Sequence, residues 1–179
     1  EDVRHEAEQV LGKKEDILNT LKNIYRKKID VAKIRIHGDY HLGQVLYTGK
    51  DFILTDFGGE PARSYSERRL KRSALRDVAG MIRSFHYAAY ASLFLDNQIR
   101  TDDIDKLMPF AEQWYHYMSG FFMHAYLKTV KGSSFIPRDK EDLETLMTTF
   151  LLEKAIYELN YELNNRPDWV IIPLRGIKS

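Results

Sequence analysis

The chain has 179 residues, 44% hydrophobic and 30% charged, with 27 Lys and Arg against 26 Asp and Glu and no cysteine. A chain of this length buries roughly two-thirds of the surface its unfolded form exposes, enough for a single domain over residues 1–179. The balanced charge gives no global drive toward nucleic acid or an anionic membrane. The lack of cysteine excludes disulfides and thiolate metal sites. The sequence shows no signal-peptide pattern and no bilayer-length apolar run, so a cytoplasmic domain is expected, with neither nucleic acid nor membrane as partner.

The chain opens on "EDVRHEAEQVLGKKEDILNTLKNIYRKK", already in helical rhythm and without an initiator Met, so a piece of something longer is expected. Apolar residues at Val3, Ala7, Val10, Leu11, Ile17, Leu18, Leu21, Ile24 and Tyr25 predict an amphipathic helix that Gly12 bends or splits. Residues 34–36, 44–48 and 51–55 read as short strands, the last two joined by the turn "TGKD" into a hairpin. From about Ser66 the pattern is helical. The run "SALRDVAGMIRSFHYAAYASLFL" has an apolar face too broad for a surface helix and is placed centrally. A third helical stretch follows, with Asp102 expected as N-cap and Pro109 disturbing its early turns. Asp139 is expected to start another helix after the loop "KGSSFIPRD", and the tail "NNRPDWVIIPLRGIKS" reads as irregular. The expected fold class is mainly α, a helical bundle with a small β-hairpin insertion.

The stretch "IRIHGDYHLGQVLYTGKDFILTDFGGEP", residues 34–61, sets His37, Asp39, His41, Gln44 and Asp56 around the most strand-like part of the chain. A carboxylate at Asp39, on a loop between β segments, can accept a hydroxyl proton as that hydroxyl attacks phosphorus. The amide oxygen of Gln44 and the carboxylate of Asp56 can ligate one hard cation, and Mg²⁺ prefers such oxygen ligands plus substrate phosphates. One base, one neutral ligand and one anionic ligand form the acceptor half of a phosphoryl-transfer site. The plainer reading of Asp39 is a loop aspartate capping its own backbone. The spacing to Gln44 and Asp56 favours catalysis. His37 and His41 could be metal ligands, but no third histidine or Cys stands at useful spacing, so they are expected to hydrogen-bond and shape the loop.

"HGDYHLGQVL" followed by "ILTDFGGEP" resembles the catalytic and metal-binding loops of aminoglycoside-phosphotransferase-like kinases, whose fold is protein-kinase-like. The nearer resemblance is to the maltokinase group, including members fused to trehalose synthase, with expected patterns HGDxHLGQ, DFEGEP and KRSPLRDVAGMLRSFHYAA. This chain reads "HGDYHLGQ", "DFGGEP" and "KRSALRDVAGMIRSFHYAA", continuous from about Ile34 to Ala89, with a weaker echo in "RPDWVIIPLRGI". Two departures stand out. Gln44 replaces the wider family's Asn but keeps the amide oxygen, and Gly58 replaces an expected Glu, removing a carboxylate near the metal.

The resemblance implies a kinase-like C-terminal lobe whose hairpin carries the catalytic and metal loops. It implies ATP and Mg²⁺ as cofactors and transfer of the γ-phosphate to the anomeric hydroxyl of maltose, giving maltose 1-phosphate in trehalose and α-glucan metabolism. It also implies that Asp77 holds the catalytic loop through backbone amides, where an exposed helix-face acid is the plainer reading. Glu60 is expected at a sugar hydroxyl or in a structural role. Arg72 is a candidate for phosphate or substrate, although "ERRLKR" reads most simply as a solvated face. Tyr87, Trp114, Tyr115, Tyr117 and Trp169 could stack on a sugar ring, yet aromatics at helical spacing more often build the core. No glycine-rich phosphate loop and no V-A-I-K-like strand is present, so the N-lobe is expected to be absent here and this piece alone inactive. Two alternatives stay open. One is a phosphotransferase for an aminoglycoside or amino alcohol, which an acid-lined cleft would favour. The other is a non-catalytic docking lobe of a fused trehalose synthase.

Overall fold

The structure is a computed structural model that describes residues 2–94 and 99–178. It is mainly helical. Helices α1 (Asp2–Gly12) and α2 (Lys14–Asn23) are separate, the break falling at Lys13, immediately after Gly12. The hairpin pairs β1 (Val45–Tyr47) with β2 (Phe52–Leu54) antiparallel, in the register Val45 to Leu54, Leu46 to Ile53 and Tyr47 to Phe52. Gly49 closes the turn at φ 85, and the Thr48 amide donates to the Asp51 carbonyl at 2.9 Å. Four helices complete the bundle: α4 (Leu75–Phe94), α5 (Thr101–Thr129), α6 (Lys140–Asn165) and α7 (Ile171–Lys178), with one-turn α3 (Tyr65–Arg68) ahead of them.

The central helix is α4, as its broad apolar face requires. Its Leu75, Val78, Ala79 and Ile82 pack with Leu146, Met147 and Phe150 of α6 into one buried cluster. Its Ala89 and Tyr90 pack with Ile171 and Ile172 of α7 into a second. Arg83 of α4 is 2% exposed and is charge-compensated by Glu158 of α6 at 2.8 Å. His86 is almost fully buried, and burial pushes its pKa down to about 2, so it is neutral core.

Several expectations are corrected. Residues 34–36 do not form a strand; Ile34 makes one antiparallel bridge to Arg72, and the chain then turns into the loop. That bridge also interrupts the helix expected from Ser66. The capping box of Ser64 and Glu67 starts only the single turn of α3, and α4 begins at Leu75. The N-cap of α5 is Arg100, which puts Asp102 in the first turn, where a negative charge still complements the helix dipole. The helix runs on through Pro109, on an exposed side where the Asp105 carbonyl can lose its intrahelical donor to water. Asp139 caps α6 as expected, accepting from the Asp142 amide at 3.0 Å. The tail is ordered into a 3₁₀ turn, Pro167–Trp169, and α7, because Ile171, Ile172 and Leu174 bury against the bundle. Pro173, third in α7, falls where the N–H is an orphan anyway. The central helix was expected to reach Leu95, which lies outside the described residues; α4 is described to Phe94. Among the described residues, no helix is long and apolar enough to cross a membrane.

Gly80 shows how α4 positions the loop. A Cβ there would lie 2.7 Å from the Tyr40 carbonyl oxygen, a backbone atom that cannot swing aside. Gly80→Ala should therefore destabilise the chain. Overpacking costs about 1–3 kcal/mol, against a helix-propensity gain of about 1 kcal/mol. A thermal unfolding midpoint at or above that of the parent would contradict this contact.

Candidate active site

The loop is built from Asp77 outward. This residue sits in the first turn of α4, and its carboxylate accepts the His37 amide at 2.7 Å and the Gly38 amide at 2.9 Å. Burial pushes its pKa up, while those two amides pull it back. Gly38, at φ 87, makes the turn that follows. His37 is buried; its Nε2–H donates to the Thr55 carbonyl at 2.7 Å and its Nδ1 accepts the Asp39 amide at 3.4 Å. Those two partners select one tautomer, and the ring ties the loop to the end of β2. His41 caps the short 3₁₀ turn Leu42–Gln44, its Nδ1 accepting the Gly43 amide at 3.1 Å. The Leu42 amide donates to Ser84 of α4 at 3.0 Å, which closes the loop onto the central helix. His37 and His41 thus hold backbone geometry.

Gln44 and Asp56 face each other at the base of the hairpin. The Gln44 amide nitrogen lies 3.5 Å from Asp56 Oδ2, while its Oε1 accepts the Thr55 hydroxyl at 3.1 Å. A half-turn of the side-chain amide exchanges those two ends. Asp56 has φ 55, in the left-handed region that Asp tolerates better than most residues. Its other oxygen accepts the Gly58 amide at 3.4 Å, so both carboxylate partners sit at the outer edge of hydrogen-bond distance. A hard oxygen pair so weakly committed fits Mg²⁺, which keeps few protein ligands and adds water and phosphate. Among the described residues, no three His, Cys, Asp or Glu side chains gather as an all-protein metal cage.

Asp39 stands apart from that pair, its carboxylate facing α6. Lys154 Nζ lies 3.8 Å from Asp39 Oδ1 and 3.5 Å from Glu60 Oε2, bridging the two acids. His41 Nε2 approaches Asp39 Oδ2 at 3.9 Å. Burial, then Glu60, raises the Asp39 pKa above the ordinary carboxylate range, while Lys154 and His41 oppose the rise. Asp39, Glu60, Lys154 and Tyr157 open into a cavity of about 480 Å³, walled further by Tyr87, Glu158, Tyr161, Glu162 and Arg166. Tyr87 donates to Glu162 at 3.1 Å, and Arg166 grips the same carboxylate at 2.8 and 2.6 Å. Burial raises the pKa of Glu158 despite Arg83 beside it. Of the four carboxylates in the lining, Glu158 is paired with Arg83 and Glu162 with Arg166, so Asp39 and Glu60 share the single cation Lys154.

Of the other candidates, Glu60 and Tyr87 line this cavity. Trp169 stands behind it, stacked on Tyr87 at 6.4 Å with the Arg166 guanidinium 4.4 Å from its ring. Arg72 pairs through its backbone with Ile34 and lines a smaller cavity beside the loop. Trp114 and Tyr115 instead pack edge-on against Phe85 and His86. Tyr117 is exposed on α5. Lys154, Tyr157, Glu158 and Glu162 were missed from sequence. Their signal was present in "KAIYELNYEL", where polar and aromatic residues recur at helical spacing on a face that must meet α4.

No family model matches the chain. It is 29% identical over 142 residues to a glucosamine kinase of Streptacidiphilus jiangxiensis, covering 78% of this chain and 30% of the relative. It is 30% identical over 152 residues to a glucosamine kinase of Mycolicibacterium smegmatis, covering 80% of this chain and 34% of the relative. The chain thus spans about a third of the length of these curated relatives. Among solved structures, a glucosamine kinase (crystal form A) superposes with a TM-score of 0.76 at 21% identity, covering 97% of this chain and 40% of that one. A glucosamine kinase in complex with glucosamine, ADP and inorganic phosphate superposes with a TM-score of 0.75 at 22% identity, covering 97% and 41%. The fold is therefore shared with part of the glucosamine kinase structure.

Proposed function

We propose that the chain is the C-terminal, acceptor-side lobe of an ATP-dependent sugar kinase whose acceptor is an amino sugar of the glucosamine kind. The observation that carries this reading is Asp39 and Glu60 lining one cavity and sharing the single cation Lys154, which leaves one carboxylate in excess. A protonated amine can form an ion pair with that carboxylate, whereas a neutral disaccharide can only donate hydroxyl hydrogen bonds to it. The relatives named glucosamine kinases support the same acceptor. The exposed apolar side chains of the hairpin region, Leu46, Tyr47, Phe52, Ile53 and Phe57, support a lobe that another part of the protein covers.

An acceptor hydroxyl in the cavity gives its proton to Asp39 as its oxygen bonds to the γ-phosphorus, and the bond from that phosphorus to the departing ADP oxygen breaks. Gln44 and Asp56 would hold Mg²⁺, which when bound neutralises charge on the transferring phosphates. Asp77 keeps the loop in register, and Lys154 keeps Asp39 ionised and aimed. This last role predicts a pH effect. Lys154→Met removes the cation that opposes the raised Asp39 pKa, so Asp39 stays protonated to higher pH. The acid limb of kcat/KM in the full-length protein should then move upward in pH. A limb that stays put or moves downward would detach Lys154 from the base.

The second reading is maltose as acceptor, in a protein fused to trehalose synthase, and the motifs "HGDYHLGQ", "DFGGEP" and "KRSALRDVAGMIRSFHYAA" favour it. Coupled ADP-release assays on the full-length protein with ATP and Mg²⁺ separate the readings. Turnover is expected with glucosamine in preference to maltose, and none with the 179-residue chain alone. Preference for maltose would transfer the conclusion to the second reading. Turnover with neither sugar would remove the kinase proposal.

A further inference from the structure

The near-neutral charge of the chain conceals a strong segregation. Segments 22–35 and 63–76 hold twelve of the 27 basic residues and two of the 26 acidic ones, leaving fifteen basic against 24 acidic elsewhere. The fold joins these segments through the backbone pair of Ile34 and Arg72, at 3.0 and 2.9 Å. Between them and α6 runs a groove of about 530 Å³ with no acidic residue in its lining. Two of its cations are compensated from outside, Lys27 by Asp142 at 2.8 Å and Arg76 by Glu153 at 2.9 Å. Lys28, Lys33, Lys71 and Arg72 also line the groove, and none forms an ion pair or a side-chain hydrogen bond among the described residues. Below them the floor is apolar: Leu146 and Phe150 are buried, and Ile29 and Val31 pack against them half-buried.

We propose that this groove docks an acidic segment of a partner protein, anchored by apolar side chains. The order of the chemistry selects the occupant. A membrane-binding face projects its apolar groups beyond its cations so that they enter the bilayer; here Leu70 alone of the apolar lining is exposed, while Ile24, Ile29, Val31, Leu146 and Phe150 are buried or half-buried. A single-stranded nucleic acid needs exposed aromatic platforms for its bases; the only aromatic ring in the lining is Phe150, 5% exposed. A peptide can place Leu or Phe on the floor while its carboxylates meet the rim, matching charge for specificity and apolar surface for affinity. The site abuts the catalytic loop, because Ile34 lies three residues before His37 and Arg72 also lines the cavity that contains Asp39 and Asp77. The proposal does not depend on the chain transferring phosphate.

The test is fluorescence anisotropy of the full-length protein with a short labelled peptide in which Glu alternates with Leu and Phe. Binding is expected, weakening as salt rises, and weakening about tenfold or more in the double variant Lys33→Glu and Lys71→Glu. These two lysines are exposed, so the unfolding midpoint should not move; the milder pair Lys33→Gln and Lys71→Gln should give an intermediate loss. Equal binding of a peptide with Gln for every Glu overturns the proposal, as does parent-like affinity in the charge-reversed variant. Displacement of the peptide by lower concentrations of phosphatidylserine vesicles or a single-stranded oligonucleotide also overturns it, and reassigns the face.

Discussion

Asp39→Asn should lower kcat of the full-length protein by roughly 10²–10⁴, the range expected when general-base help is lost. The substitution keeps the size of the side chain, and its neighbours Lys154 and His41 stay in place. What it removes is the charge that receives the hydroxyl proton. KM for the acceptor should change little, since the remaining cavity walls still hold the sugar. Folding gives an independent readout. Burial and Glu60 raise the Asp39 pKa in the folded state, so the folded chain binds that proton more tightly than the unfolded chain. The resulting stability is fully present below the unfolded pKa and is lost as pH rises through the folded pKa. At neutral pH the parent carries an ionised Asp39 that opposes folding, and the neutral Asn does not. The variant should therefore unfold at the same or a higher temperature at neutral pH, with its advantage vanishing in acid. Unchanged kinetics would remove Asp39 from the chemistry. A large rise in KM with unchanged kcat would make it a binding residue.

The hairpin, the central helix and the start of α6 were legible in the sequence because each is encoded locally. Alternation with a turn, a broad apolar face and an Asp cap leave marks that need no tertiary information. The loop was legible for a similar reason: Asp39, Gln44 and Asp56 fall within eighteen residues of one another. The helix α7 was not. A short run interrupted by Pro173 lacks helical propensity, and only burial of Ile171, Ile172 and Leu174 against the bundle makes it a helix. The bridge of Ile34 to Arg72 was hidden too, since nothing local pairs residues so far apart.

The far wall of the cavity was the largest gap. It comes from α6, more than a hundred residues beyond the loop, and it changes the chemical conclusion. Without Glu158 and Glu162 the loop alone does not distinguish a neutral sugar from a cationic one. With them paired to Arg83 and Arg166, and Lys154 shared by Asp39 and Glu60, one carboxylate stays in excess, which favours an amine. Lys154 also sets the electrostatics of Asp39. The acid that raises the Asp39 pKa is Glu60, and Lys154 bridges both. Asp56 is engaged separately, with Gln44 and Gly58.

That separation makes Asp56 testable on its own. Asp56→Ala and Asp56→Asn should each reduce turnover of the full-length protein on the order of a thousandfold or more, the scale of losing charge stabilisation at a transferring phosphate. The two variants differ in what they do to the backbone. Asp56 sits at φ 55, where Ala is strained by about 1–2 kcal/mol and Asn is not. Asn also keeps an acceptor for the Gly58 amide, so Asp56→Asn should unfold like the parent while Asp56→Ala unfolds earlier. If charge at this position is what holds Mg²⁺, the two should nonetheless be equally inactive. Raising Mg²⁺ should rescue both poorly, because the neutral Gln44 oxygen, phosphates and water remain as the only ligands. Stabilisation of the full-length protein by ADP with Mg²⁺, read as a shift in unfolding midpoint, should fall in both. Near-parent activity of Asp56→Asn at ordinary Mg²⁺ would break the metal assignment. A defect in Asp56→Ala alone would show that this position serves the turn of the chain and leave the cation to be held elsewhere.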